Sequence, residues 1–256
     1  MPTVLLVRHG RTAANAGGIL AGWSPGVGLD ETGRRQAVGL GARMAALPLA
    51  AVVCSPLQRC LETAAELLAV PGPGDVARPA PVVDDRLGEC RYGDWTGREL
   101  KDLAKDPLWR AVQVHPSSVT FPGEGGEAML TMQQRTVTAL REHDARVAAE
   151  AGEHAIWVAV SHGDPIKAAL ADALGMHLDQ FQRIVVEPGS VSVIRYTPLR
   201  PFVLRLNDTS GELTPFLPPP PQPRAADDDD ASGAAGSDAV VGGPAGPPTG
   251  TGAEKP

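Results

Sequence analysis

Two histidines in this sequence sit in the same local pattern. His9 follows the apolar run Val4–Val7 and Arg8, and precedes Gly10. His162 follows "AIWVAVS" and precedes Gly163. An imidazole titrates near neutrality, so it can serve as nucleophile, base or acid. Arg8 adds a permanent planar cation suited to an oxyanion. A second such cation, Arg59, follows the apolar segment Ala51–Cys54 and the pair Ser55–Pro56. Taken singly, a histidine at a strand end is usually structural and Arg59 is a solvated helix position. Taken together, Arg8, His9, Arg59 and His162 can converge on one anion.

The elements that must position these residues follow from the apolar pattern. Val4–Val7, Ala51–Cys54 and Ala155–Ser161 are short continuous apolar runs, the mark of strands covered on both faces. Val82–Leu87 reads as a further strand. Ser190–Tyr196 and Phe202–Leu206, joined by "TPLRP", read as an edge hairpin. Helical spacing of apolar residues predicts helices over Thr32–Leu47 and Glu127–Glu150, and another opening at Pro165. In "SPLQRCLETAAELLAV", Ser55 can cap and Pro56 can take the first helical position. Leu57, Cys60, Leu61, Ala64, Ala65 and Leu68 then share the apolar face, with Arg59 off it. "TGRE" (Thr96–Glu99) is a capping-box pattern that predicts one more helix.

This alternation predicts a three-layer α/β sandwich, with a mostly parallel central sheet and helices on both faces. Ligands of such sheets bind beyond the carboxyl ends of the strands. Helices that start there offer free N–H groups and partial positive charge to an anion. Gly10 and Gly163 allow the backbone to come close.

The chain has 256 residues, 43% of them hydrophobic, and a formal charge of −7. Most of that charge belongs to the stretch from Gly211 onward, so the remainder is near neutral. A general nucleic-acid or membrane-surface binder is not expected from such a balance. Three cysteines (Cys54, Cys60, Cys90) without CxxC spacing read as reduced thiols of a cytoplasmic protein. No signal peptide or membrane span is expected. Residues 1–208 are expected to form one domain. Residues 209–256, with "PPPPQP", "DDDD" and Gly/Ala/Pro repeats, are expected to be a disordered tail of unassigned partner.

These motifs carry a resemblance. "RHGRTAAN", "LDETGRRQA", "SPLQRCLETA", "LGECRYGDWTG" and "SHGDPIKAAL" are similar, in the same order, to the signature segments of the histidine phosphatase superfamily. This is the phosphoglycerate-mutase-like fold, in its branch of small phosphatases and cofactor-dependent mutases. One departure is Arg11, where the family often has Glu. The resemblance implies that His9 is a nucleophile that becomes a phosphohistidine. Its other ring nitrogen should donate to a fixed acceptor such as a backbone carbonyl. Arg8, Arg59 and His162 would grip the phosphoryl oxygens, with Thr12, Asn15 and Gly163 adding hydrogen bonds. Glu89 would be the general acid and then the base. No cofactor or metal is implied, and the partner is a small phosphorylated metabolite.

The same resemblance favours phosphomonoester hydrolysis over a phosphomutase. Only about thirty residues separate Trp95 from the helix at Glu127, less than the mutases carry there, and "FPGEGGEAM" resembles a loop of the phosphatases. Arg91, Arg110 and His115 are candidates to shape the leaving-group pocket. Two readings from other classes are a metal-dependent hydrolase built on His9, His162, Asp164 and Glu89, and a non-catalytic phosphoryl-binding scaffold. The first lacks paired ligands on one helix. The second leaves a full set of catalytic residue types without a use.

Overall fold

The computed structural model describes residues 2–217. Six strands make one sheet: β1 (Thr3–Arg8), β2 (Leu49–Cys54), β3 (Pro81–Val83), β4 (Ile156–Ser161), β5 (Val191–Tyr196) and β6 (Pro201–Asp208). Their order is β3-β2-β4-β1-β5-β6. The pairs β2–β3, β2–β4 and β1–β4 are parallel. The pairs β1–β5 and β5–β6 are antiparallel. The mostly parallel sheet and the edge hairpin therefore match the sequence reading.

The helices are α1 (Ala13–Ala16), α2 (Glu31–Arg43), α3 (Gln58–Leu68), α4 (Leu100–Leu103), α5 (Pro107–Val114), α6 (Met129–Ala151) and α7 (Gly163–Ala173). One face of the sheet, with Leu5, Val7, Val52, Val158 and Val160, packs on Leu40 of α2 and on Ala64 and Leu67 of α3. The other face, with Val4, Leu6, Val53, Trp157 and Ala159, packs on Met132 and Leu140 of α6 and Ile166 and Leu170 of α7. Val4 to Val7 are buried throughout. Each such side chain contributes about 1.5–3 kcal/mol relative to exposure, so β1 ends in a rigid frame.

Several expected boundaries move. The run Val82–Leu87 is a strand only to Val83; Asp84 then accepts from the Arg86 amide and opens a 3₁₀ turn over Asp85–Leu87. "TGRE" does not cap a helix. Gly97 N–H donates to Leu20 O, and Arg98 O accepts from Leu20 N–H, so this segment bonds to the loop that follows α1. Helix α4 starts after Glu99 without a side-chain cap. Helix α3 begins at Gln58, beyond Pro56: Ser55 Oγ still accepts from the Leu57 amide at 3.3 Å, but Leu57 itself is extended and has no helical φ/ψ. Its buried residues are Arg59, Cys60, Thr63, Ala64 and Leu67, whereas Leu61 is largely exposed. The inner face is rotated from the expected apolar stripe so that it includes an arginine.

The packed chain also passes the expected boundary at Asp208. Leu213 is fully buried beside β5, and Arg43 Nε donates to Gly211 O at 2.9 Å. From residue 218 the expected tail lies outside the described residues. Among the described residues no helix is long and apolar enough to cross a membrane.

Candidate active site

The sheet register builds the site. Arg8 pairs with Ser161 and Cys54 pairs with Val160, so β1, β4 and β2 end almost level. The next residues on these strands are His9, His162 and Ser55. All three are buried. His9 N–H donates to Ser161 O at 3.0 Å, and Ser55 N–H to Val160 O at 3.0 Å, which extends the sheet bonding one residue into the site.

Gly10 then turns the chain away from His9, and its lack of a side chain is required. A Cβ there would lie 2.4 Å from the carbonyl oxygen of Gly33, near the start of α2. Conversely, a Cβ on Gly33 would lie 2.0 Å from Arg11 O. The close approach expected of Gly10 is thus to another backbone segment. Gly163 fits differently: a Cβ there would rest 3.4 Å from the Arg8 guanidinium carbon, an ordinary van der Waals contact.

The His9 ring is held from both sides. Its Nδ1 lies 2.7 Å from Gly10 O, where only an N–H can bond, and Arg59 Nε–H donates to its Nε2 at 3.2 Å. Arg59 Nη2 also donates to Gly22 O at 2.8 Å. The His162 ring stands edge-on to His9, with centroids 5.2 Å apart. Burial, and then the Arg59 and Arg8 cations, hold the His9 pKa well below its ordinary value. Burial, Arg59, His9 and Arg8 do the same to His162. Both rings are therefore neutral. Arg8 Nη1 donates to Val186 O at 2.5 Å, while its buried Nε has no partner among the described residues.

Glu89 is buried in the same region. Its backbone is clamped: Trp23 Nε1 and Arg135 Nη2 both donate to its carbonyl, at 2.6 and 3.0 Å. Its Oε1 accepts from the Cys90 amide at 3.0 Å. Burial and then the Asp164 carboxylate push its pKa up to about 7, against the pull of Arg59 and Arg8. A carboxyl near 7 can both give and take a proton at neutral pH. Glu89 is thus a buried carboxyl and not a solvated surface acid.

One expected contact looks inward instead. The Thr12 hydroxyl donates to Asn15 Oδ1 and accepts from the Asn15 amide, a reciprocal cap on α1 that uses up the hydroxyl. Asn15 keeps its amide N–H₂ for other partners. Arg11 pairs with Asp30 at 2.7 Å at the head of α2. Its side chain braces that helix start and not the histidines.

Sequence reasoning missed the supporting residues. Ser55 Oγ lies 2.7 Å from His162 Nε2. Thr63 accepts from Gly10 N–H at 3.0 Å and donates to Arg59 O at 2.7 Å, tying the nucleophile loop to the arginine. Arg135 on α6 binds the carbonyls of Arg86, Gly88 and Glu89 and forms a partly buried ion pair with Glu127 at 2.6 Å. Thr63 one helical turn after Arg59 was the only available signal; Arg135 lies 46 residues from Glu89 and gave none. Tyr92 O–H donates to Asp164 Oδ2 at 2.9 Å. His115, a candidate for the leaving-group pocket, instead faces Asp179 at 3.8 Å. Among the described residues no group of His, Cys, Asp and Glu is placed to hold a metal ion.

The arrangement combines a neutral imidazole whose unprotonated Nε2 accepts from a guanidinium, two guanidinium groups in all, a second imidazole and a carboxyl poised near neutrality. Known proteins resemble this chain in sequence and fold. The family model for the histidine phosphatase superfamily (branch 1) matches residues 4–209. Phosphoserine phosphatase 1 of Hydrogenobacter thermophilus is 28% identical over 212 residues, which cover 82% of this chain and 93% of that one. A 2,3-bisphosphoglycerate-dependent phosphoglycerate mutase of Thermoplasma acidophilum is 28% identical over 194 residues, 76% of this chain and 87% of that one. A 33% identical bifunctional protein of Mycobacterium tuberculosis is matched over 82% of this chain but only 54% of its own length. Among solved structures, Bacillus stearothermophilus YhfR superposes with a TM-score of 0.71 at 28% identity, covering 82% of this chain and 98% of that one. The chain belongs to the histidine phosphatase superfamily, branch 1.

Proposed function

We propose that this protein hydrolyses small phosphomonoesters through a phosphohistidine on His9. The observation that carries the reading is the state of that ring. Its Nδ1 faces a backbone carbonyl, and its lone-pair Nε2 faces Arg59. In the first step Nε2 bonds to phosphorus and the bond from phosphorus to the leaving oxygen breaks. The Glu89 carboxyl gives its proton to that oxygen. In the second step a water oxygen bonds to phosphorus, the N–P bond breaks, and the Glu89 carboxylate takes the water's proton. Arg8, Arg59 and His162 hold the phosphoryl oxygens as charge spreads over them. Gly163 at the head of α7 and the Asn15 amide add donors, and Thr12 positions Asn15. No step needs a metal or cofactor.

The near-neutral folded part gives no field for nucleic acid or a membrane surface. A cytoplasmic location belongs to the same proposal, supported by three buried free thiols. The phosphomutase reading is favoured by one relative's name. In it, phosphohistidine would return its phosphoryl group to the alcohol instead of to water.

The test is phosphate release from p-nitrophenyl phosphate in excess EDTA, with His9→Ala as control. Release that resists EDTA and disappears in His9→Ala supports the proposal. Isomerisation of 3-phosphoglycerate in the presence of 2,3-bisphosphoglycerate, without phosphate release, would favour the mutase. Neither activity from a folded protein would leave a phosphoryl-binding role.

A further inference from the structure

Arg91 is two residues past Glu89, and its guanidinium has no use in the chemistry above. It lies over the Trp23 ring, 3.8 Å from the ring centroid. No carboxylate of the described residues pairs with it, and it is exposed. Its backbone, by contrast, is fixed: Arg91 N–H donates to Glu127 Oε2 at 3.1 Å and its carbonyl accepts from the Glu127 amide at 2.8 Å. Glu127 is in turn locked by the partly buried Arg135.

Trp23 links this cation to the reacting groups. Its indole N–H donates to Glu89 O, and a Cβ on Gly88 would strike its ring at 2.3 Å. The residue before it, Gly22, supplies the carbonyl that holds Arg59. The indole is thus fixed between the proton donor and one of the phosphoryl-gripping arginines. An arginine stacked on such a ring loses little freedom on binding a ligand, and its N–H edges stay open.

We propose that Arg91, laid on Trp23, is a subsite for a second anionic group, so that the preferred substrates are phosphomonoesters whose alcohol carries a carboxylate or further phosphate. The proposal rests on the phosphomonoesterase reading of the site. The guanidinium would meet the second anion as a planar two-pronged donor, which Lys cannot reproduce.

The experiment compares pairs of esters that differ by one carboxylate: 3-phosphoglycerate against glycerol 3-phosphate, and O-phosphoserine against O-phosphoethanolamine. For the full-length protein the anionic member of at least one pair should have the higher kcat/KM, by about tenfold or more. Arg91→Gln should collapse that ratio toward one, mainly through KM, with Arg91→Lys in between. Equal kcat/KM within both pairs, or a preference that Arg91→Gln leaves intact, overturns the subsite while the hydrolase reading stands. Absence of release from every ester, p-nitrophenyl phosphate included, removes both.

Discussion

The Nε–H of Arg59 donates to Nε2 of His9 at 3.2 Å. Burial penalises protonation of the ring most, and a cation in this position adds to the penalty. His9 therefore stays a free base well below the usual histidine range. Glu89 moves the other way, to about 7. The nucleophile is ready on the acid side, and the proton donor is lost as pH rises through Glu89's pKa. With phenyl phosphate, a poor leaving group, kcat/KM should fall about tenfold per pH unit above 7. Glu89→Gln should remove that alkaline limb and lower kcat by about 10²–10⁴-fold. An alkaline limb that survives in Glu89→Gln would assign the titration to another group.

Ser55 should set the tautomer of His162. Its Oγ accepts from the Leu57 amide at 3.3 Å, which leaves its own proton for His162 Nε2 at 2.7 Å. The His162 proton then sits on Nδ1. Nitrogen-15 NMR of labelled histidine should show that tautomer in the wild type and a mixture in Ser55→Ala. A buried ring nitrogen without its partner costs about 1–3 kcal/mol, so kcat/KM should drop by about tenfold. Unchanged spectra in Ser55→Ala would rule this role out.

Arg135 is expected to matter for stability and activity together. It binds three carbonyls, including that of Glu89, and the Glu127 carboxylate. Arg135→Met strands a largely buried charge, and removal of one partner from such a pair costs about 3–5 kcal/mol. Calorimetry should show a fall in Tm on the order of 10 °C. Adding Glu127→Gln should recover part of it, because the stranded charge is gone. No recovery would mean that the carbonyl contacts, and not the ion pair, dominate.

Gly33 is the simplest steric test. An alanine there places Cβ 2.0 Å from Arg11 O, so the loop carrying His9 must shift. Gly33→Ala should cost about 1–3 kcal/mol and lower kcat as well. Gly39, on the same helix with nothing within 4 Å, is the control: Gly39→Ala should stabilise the helix slightly. If Gly33→Ala matches Gly39→Ala, the two loops are not in the contact described.

The sequence alone determined the sheet and the ends of its central strands β1, β2 and β4. Continuous apolar runs such as Val4–Val7 and Ile156–Val160 can only be satisfied when both faces are covered, so a doubly covered sheet follows from composition and length. The inner faces of α2 and α6 followed from 3.6-residue spacing for the same reason. Arg8, His9, Arg59 and His162 were legible because each stands at or just beyond the end of such a run. Tertiary structure decided the rest. Arg59 is buried with its guanidinium bonded to His9 and to Gly22 O, although the apolar stripe of α3 places it outside. Thr12 turned to its own helix start, since a capping bond within three residues forms more readily than one to a distant ligand. Ser55, Thr63, Arg135 and the Trp23–Arg91 stack depend on contacts between segments tens of residues apart, such as Arg135 and Glu89, for which a single sequence carries no local signal. The pKa of Glu89 is of the same kind: burial and Asp164 set it, and neither is visible until the chain has folded.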